Sequence, residues 1–206
     1  MLKAIALFVT LVFLSSAAFA GNDWHLSKDG NRVFFLRSAF AHGYMHGYEE
    51  GFHAGDLDLQ IGRPFRTIRS QDKFKKIRGY REEFGDRGSF DEGYRKGYAV
   101  GYTDAYTGRD FRATQLVKLA KEQSFSDSDA TPDRGFDRAF EAGYNTGHKS
   151  GLKDGRSAAP LANLDSVACK DISGKDDCAA YRQGYRLGYS DGYTNQSGAG
   201  AVLAEK

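Results

Sequence analysis

Between residues 40 and 55 a glycine followed by another residue type, most often aromatic, returns every four positions, in Phe-Ala-His-Gly-Tyr-Met-His-Gly-Tyr-Glu-Glu-Gly-Phe-His-Ala-Gly. The pattern recurs at 90–106, 140–155 and 181–193, and these four windows hold every tyrosine except Tyr80. Four residues advance an α-helix by one turn plus about 40°, so each type forms a slowly winding row along one side. A strand would also keep a four-residue period on one face. The spacer pairs, however, are Met-His, Glu-Glu, Arg-Lys, Asn-Thr and Arg-Leu, which favour helix and do not alternate apolar with polar. The spacing therefore predicts four helices.

Glycine inside a helix costs about 1 kcal/mol relative to alanine, so three or four per helix need a tertiary contact to offset them. Gly43, Gly47, Gly51 and Gly55 form one row, beside Phe40, Tyr44, Tyr48 and Phe52. The matching sets are Gly93, Gly97 and Gly101 with Tyr94, Tyr98 and Tyr102; Gly143, Gly147 and Gly151 with Tyr144; and Gly184, Gly188 and Gly192 with Tyr185, Tyr189 and Tyr193. A row without side chains is a groove, and i±4 rows pack at crossings near −50°. The sequence thus predicts helix pairs in which tyrosine rings settle into glycine grooves, with the hydroxyls at the wet rim of the core.

Lys3, an apolar run over 4–14, Ser15-Ser16 and Ala18-Phe19-Ala20 follow the order of a secretory signal cleaved after Ala20, which predicts a secreted or periplasmic protein. The whole chain carries 29 basic and 27 acidic side chains; without Lys3 the difference is one charge, which excludes a nucleic-acid magnet. Glu49, Glu50, Arg95, Lys96 and Asp104 interrupt the glycine rows, so no membrane span is expected after cleavage. Cys169 and Cys178 predict one local disulfide at the start of the last helix, since two cysteines at that spacing make a poor zinc site.

In chain order, residues 22–31 are polar and carry Trp24, and the first helix is expected over 32–58, ended by Gly62 and Pro64. The stretch 63–81 has Arg63, Arg66, Arg69, Lys73, Lys75, Lys76, Arg78 and Arg81 against Asp72, and Phe65, Ile68, Phe74 and Ile77 give it the partial apolar face of a short amphipathic helix. The box Ser89-x-x-Glu92 opens the second helix, which stops at Gly108. A short helix over 115–122 lies in a linker, 113–130. Thr131-Pro132-Asp133 supplies an N-cap and a first-turn proline for a third helix to 156. Asp176 or Asp177 caps a fourth helix that fades at Asn195, before a disordered tail over 197–206.

The first and third windows share Ala-Phe-x-x-Gly-Tyr-x-x-Gly, and the second and fourth share Gly-Tyr-Arg-x-Gly-Tyr-x-x-Gly-Tyr from Gly93 and Gly184. This alternation implies duplication of a two-helix unit. The expected architecture is all-α: two αα-hairpins, 21–112 with 63–81 as an insertion and 131–196, four main helices packed through Gly/Tyr rows, plus short connecting helices. Gly93-Tyr94-Arg95-Lys96-Gly97-Tyr98-Ala99-Val100-Gly101-Tyr102, with Arg78-Gly79-Tyr80-Arg81-Glu82-Glu83-Phe84-Gly85 before it, resembles uncharacterised exported bacterial proteins rich in Gly-Tyr-x-x repeats. It also resembles the Gly-x-x-x run of the Yae1/Lto1 adaptor proteins. The resemblance implies helices and protein partners, not catalysis.

His42, His46, Glu49 and His53 fall within about 60° of one another on a helix, a spacing at which two imidazoles can bind zinc or copper. The corresponding residues Glu92, Lys96, Ala99 and Thr103 offer no second ligand set, and a solvated helix face explains the same residues. There is no His-Glu-x-x-His, no Gly-x-Ser-x-Gly, no phosphate loop and no dinucleotide fingerprint. The expectation is a non-catalytic exported scaffold or protein-binding module of the bacterial envelope, without cofactor, partnered by itself or an envelope protein. The alternative is an envelope ligand binder, taking an anionic polymer or lipid on 63–81 or a transition metal on the histidine face.

Overall fold

Helices form where the four-residue pattern recurs: α1 (Ala39–Gln60), α2 (Arg87–Tyr106), α3 (Arg134–Arg156) and α4 (Lys175–Ala204), with a 3-10 turn at Glu82–Phe84. The computed structural model describes residues 37–68, 74, 77–112, 132–164, 166–169 and 172–204, with side chains to 195. Among these residues there is no strand. The expected signal segment 1–20, Trp24, the linker 113–130 and the helix over 115–122 lie outside the described residues.

Side-chain oxygens set the helix starts. Ser38 accepts from the Ala41 amide, Asp86 from Ser89, and Asp133 from Gly135 and Phe136. Two starts differ from the sequence expectation, because Asp86 displaces the Ser89 box and Asp133 displaces Thr131 as cap. Three helices end alike. Gly62, Gly108 and Ala158 take positive φ, and the amides of Arg63, Arg109 and Ala159 donate to the carbonyls of Asp58, Asp104 and Asp154 at 2.8, 2.8 and 3.0 Å. This is the Schellman closure that satisfies the last carbonyls. The fourth helix does not close there: it continues past Asn195 to Ala204, through Gly198 and Gly200, where a disordered tail was expected.

The expected all-helical fold of two helix pairs is present, α1 against α2 and α3 against α4. The seam is closer than ring-into-groove packing. A Cβ placed on Gly43, Gly47 or Gly51 would lie 2.0–2.1 Å from the carbonyl oxygen of Phe90, Tyr94 or Tyr98, and one on Gly93, Gly97 or Gly101 equally near that of Phe40, Tyr44 or Tyr48. In the second pair, Gly143 and Gly147 meet the Tyr181 and Tyr185 carbonyls, Gly151 that of Tyr189, and Gly184, Gly188 and Gly192 those of Phe140, Tyr144 and His148. The partner's backbone, not its rings, fills each groove, with Cα–H to carbonyl contacts along it. The rings flank the seam.

The paired numbers rise together, so the helices of a pair run parallel. A 22-residue helix is about 33 Å long, and the chain must travel back that far before the next helix begins. The described residues of 61–86 do so along the outer side of α2. Phe65 lies on Tyr102 and Tyr106, Phe74 on Tyr94 and Tyr98, and Tyr80 on Phe90. The described part of 63–81 is consequently an extended strap, where the sequence predicted an amphipathic helix; its apolar residues face a neighbour's aromatic row at extended spacing. The described residues of 157–174 return along α4 in the same way.

The two pairs share one core. Phe40 lies 6.0 Å from Phe140 and 5.4 Å from Tyr144, Tyr44 lies 5.6 Å from Tyr144, and Met45, Val100, Phe136 and Leu187 complete the cluster. All four helices start at one end, where Arg37 bridges Asp133 and Asp176. Four aligned dipoles reinforce one another, and the carboxylates of Asp86, Asp133, Asp137, Asp176 and Asp177 in or beside the first turns offset the positive ends.

Candidate functional site

The tyrosine hydroxyls have a repeated task. The Tyr102 hydroxyl on α2 donates to Asp58 on α1 at 3.1 Å and accepts from the Arg66 amide at 3.2 Å. Tyr48 on α1 donates to Asp104 on α2 and accepts from the Arg112 amide, both at 2.9 Å. Tyr189 on α4 donates to Asp154 on α3 at 2.8 Å and accepts from the Ala162 amide at 3.1 Å. In each, an aspartate two residues before a helix's last residue and the amide eight residues later clasp one tyrosine of the paired helix. Sequence reasoning missed this latch. In the first pair it is written twice as Asp-x-x-x-Gly-Arg-x-Phe-Arg, at 58–66 and 104–112. Both arginines of each copy return to the aspartate: Arg63 and Arg66 at 3.3 and 2.6 Å from Asp58, Arg109 and Arg112 at 3.2 and 2.6 Å from Asp104.

The second latch continues into the junction between pairs. Asp191 on α4, 1% exposed, accepts from Tyr44 of α1 at 2.6 Å and Tyr144 of α3 at 3.0 Å, and Arg112 stands 3.5 Å from its other oxygen. Arg112 also reaches Ser190, and Arg109 donates to the Thr194 carbonyl at 2.7 Å. Burial pushes the Asp191 carboxyl up to about 6 against the pull of Arg112 and the two hydroxyls. Burial, and then the neighbouring Asp191, raise both tyrosines well above their ordinary range. Beside them His148 stacks on Tyr144, and burial followed by Lys96 lowers its basicity. The cluster is a closed polar core that fixes the angle between the pairs.

The histidines do not share one face to solvent. His42 is fully buried and stacked at 3.6 Å on Phe84, His46 packs beside Phe90 and close to Gly79, Glu49 is half-buried and His53 is exposed. The predicted solvated stripe is thus replaced by a strip that runs from core to water, because the 77–84 chain covers its first turn. Among the described residues no group of three or more His, Cys, Asp or Glu side chains is arranged to hold a metal ion. Of the basic stretch, Arg63 and Arg66 are committed to Asp58, while residues 69–73, 75 and 76 lie outside the described residues.

Cys169 and Cys178 form the expected disulfide, which ties the return chain to the first turn of α4. Of the row tyrosines, Tyr44, Tyr48, Tyr94, Tyr102, Tyr144 and Tyr189 are buried, and Tyr98, Tyr185 and Tyr193 are half-buried. A hollow of about 460 Å³ opens at the helix starts among Arg37, Tyr80, Phe84, Arg87 and Asp133. Its cations stand among the capping carboxylates. No described helix is long and apolar enough to cross a membrane. Comparison of the chain with protein-family models, with curated proteins and with solved structures returns no match.

Proposed function

We propose that this chain is a non-catalytic helical scaffold or protein-binding module, exported to the bacterial envelope. The observation that carries the reading is the use to which its chemistry is put. The buried aspartates and tyrosine hydroxyls face one another across the seams and the junction at 2.6–3.1 Å. The arginines that follow α1 and α2 close back onto Asp58 and Asp104 at 2.6–3.3 Å, and these groups so hold helices in position rather than present themselves to a ligand. The solvent-facing surface is apolar in places: Leu57, Leu59 and Ile61 at the end of α1 and Leu161 after α3 are 45–68% exposed. Apolar groups of this kind at one end of a rigid body suit a protein partner.

Expression of the full chain in a bacterium with a periplasm tests the reading. The expected result is a product cleaved after Ala20, recovered outside the cytoplasm, that crosslinks to a discrete protein or to itself at native abundance. An uncleaved, cytoplasmic chain would overturn the export half. A processed chain that crosslinks to nothing and turns over a small molecule would overturn the rest.

A further inference from the structure

The two pairs differ at one surface. In the first, the chain leaving α2 carries Phe111 back onto α1, its ring 5.4 Å from Tyr48 and 5.1 Å from Phe52. In the second, α4 makes no such exit and runs on to Ala204. The positions that match Tyr48 and Phe52 are His148 and Leu152. Over Leu152 lies an open hollow of about 490 Å³, lined among the described residues by Lys149, Leu152, Lys153, Arg156 and Ser157. Charge is altered as well: α1 carries Glu49, His53 and Asp56 where α3 carries Lys149, Lys153 and Arg156. These three cations are exposed and, among the described residues, none is in an ion pair.

We propose that the hollow over Leu152 docks an extended acidic segment of a partner protein, whose aromatic side chain takes the place over Leu152 that Phe111 has over Phe52. The inference rests on the protein-binding reading above and specifies its site. The molecule itself displays an extended, aromatic-bearing segment at the equivalent surface, and the cations fix the sign of the segment that fits here. Lys149 and Lys153 stand about 6 Å apart along the helix axis, and alternate residues of an extended chain are spaced at about 6.6–6.8 Å. Two acids with one residue between them match that spacing. A compact anion such as phosphate would engage one end of the row and leave the apolar floor empty.

The test uses the full chain and a labelled synthetic peptide, Asp-Ala-Asp-Ala-Phe-Ala-Asp, followed by fluorescence anisotropy in low salt. The expected result is saturable binding that weakens about tenfold or more in Lys149→Glu/Lys153→Glu, is unchanged in Lys175→Glu at the opposite end, and weakens several-fold when the peptide's Phe becomes Ala. Both protein changes are at exposed positions, and matched circular dichroism melting verifies the fold. Affinity indifferent to the double charge reversal, or equal for the Ala peptide, would overturn the proposal. So would displacement of the peptide by anionic vesicles at equal charge, which would make the occupant a lipid surface. Self-association abolished by the same charge reversal, without peptide binding, would assign the hollow to a second copy and overturn it equally. Failure of peptide binding leaves cleavage and export as measured above untouched, so the two readings fail separately.

Discussion

Val100 occupies the place in the first helix pair that Asp191 occupies in the second, and Asp104 the place of Asn195. Around those exchanges the pairs use one seam and different fastenings. The first pair closes the C-terminal ends of both its parallel helices with arginine-bearing latches. The second has one latch without arginine, at Asp154, and gains a disulfide at the other end of the same return chain. Its fourth helix, freed of a latch, extends, and its Asp191 is turned toward Tyr44 of the other pair. Close backbone contact therefore defines the unit, while the chain beyond each helix end varies: after α2 it latches its own pair and, through Arg109 and Arg112, also reaches α4 of the neighbour, whereas after α3 it stays on its own pair, at Tyr189 and Tyr193.

The seam is the shared part, so equal damage there is expected to have equal effect. Gly97→Ala and Gly188→Ala each place a methyl 2.0–2.1 Å from a helix backbone oxygen, which no rotamer change can relieve. Losses should exceed the roughly 1–3 kcal/mol typical of overpacking, with cooperative urea unfolding reduced or absent in both variants. A tolerated alanine at either site would show that its pair is held by something other than backbone contact.

The latches are the part that differs. Asp104→Asn leaves Arg109 and Arg112 facing a neutral group inside the protein, and breaking a buried pair on one side costs about 3–5 kcal/mol. Asp154→Asn only exchanges the charged acceptor of the Tyr189 hydroxyl for a neutral one, a loss of about 1 kcal/mol. Paired denaturation curves check this. Equal losses would mean that the arginines contribute nothing beyond the tyrosine bond. Between these in size is the disulfide. Cys169→Ser/Cys178→Ser should cost about 2–3 kcal/mol on the loop-entropy account, with amide exchange accelerated at 157–164 and in the first turn of α4, and not at the first pair's strap.

The helices and the glycine rows are legible in the sequence because a four-residue period with helix-forming spacers has few other solutions. Direction is not. Glycines at 43, 47 and 51 face a partner equally well in either sense, and only the length of the connections, 61–86 and 157–174, speaks for a parallel return. That length reads as an insertion when the 63–81 cations draw attention to charge instead. The latch was visible, but at another offset: Asp58, Gly62, Arg63, Phe65 and Arg66 recur at 104, 108, 109, 111 and 112, whereas the glycine rows recur from 43 to 93. Alignment on glycine hides the shorter repeat. The burial of His42 could not be seen either, since it depends on Phe84, a residue that comes back from outside its helix.

The junction makes the second pair sensitive to pH in a way that Val100 cannot make the first. Asp191 titrates near 6 when folded against an ordinary value of 3.8. Its folded form thus holds the proton more tightly, and its contribution is fully present below pH 3.8 and lost as pH rises through 6. The stability of the natural chain minus that of Asp191→Asn should fall by on the order of 1–2 kcal/mol between about pH 4.5 and 6.5. Asp58 runs the other way: burial raises it, but Arg66 and Tyr102 outweigh that and hold it below its usual range, so its contribution is lost as pH falls. The difference between the two proteins isolates Asp191, and a flat difference would mean that its carboxyl is ionised across the whole window.

The smallest expected effect concerns the Schellman turns. Gly62 and Gly108 carry positive φ in the first pair, and Ala158 does so at 49° in the second. An L-residue in the left-handed region costs about 1–2 kcal/mol, from which the extra chain entropy of an unfolded glycine, about 0.4–1 kcal/mol, must be subtracted. Ala158→Gly should therefore stabilise the protein by up to about 1 kcal/mol, and Gly62→Ala or Gly108→Ala should destabilise it by a similar amount, read as opposite shifts in urea midpoint at constant slope. A loss of stability in Ala158→Gly would mean that the second pair holds its turn by contacts of the Ala158 methyl, and that its lone latch is built differently from the two in the first.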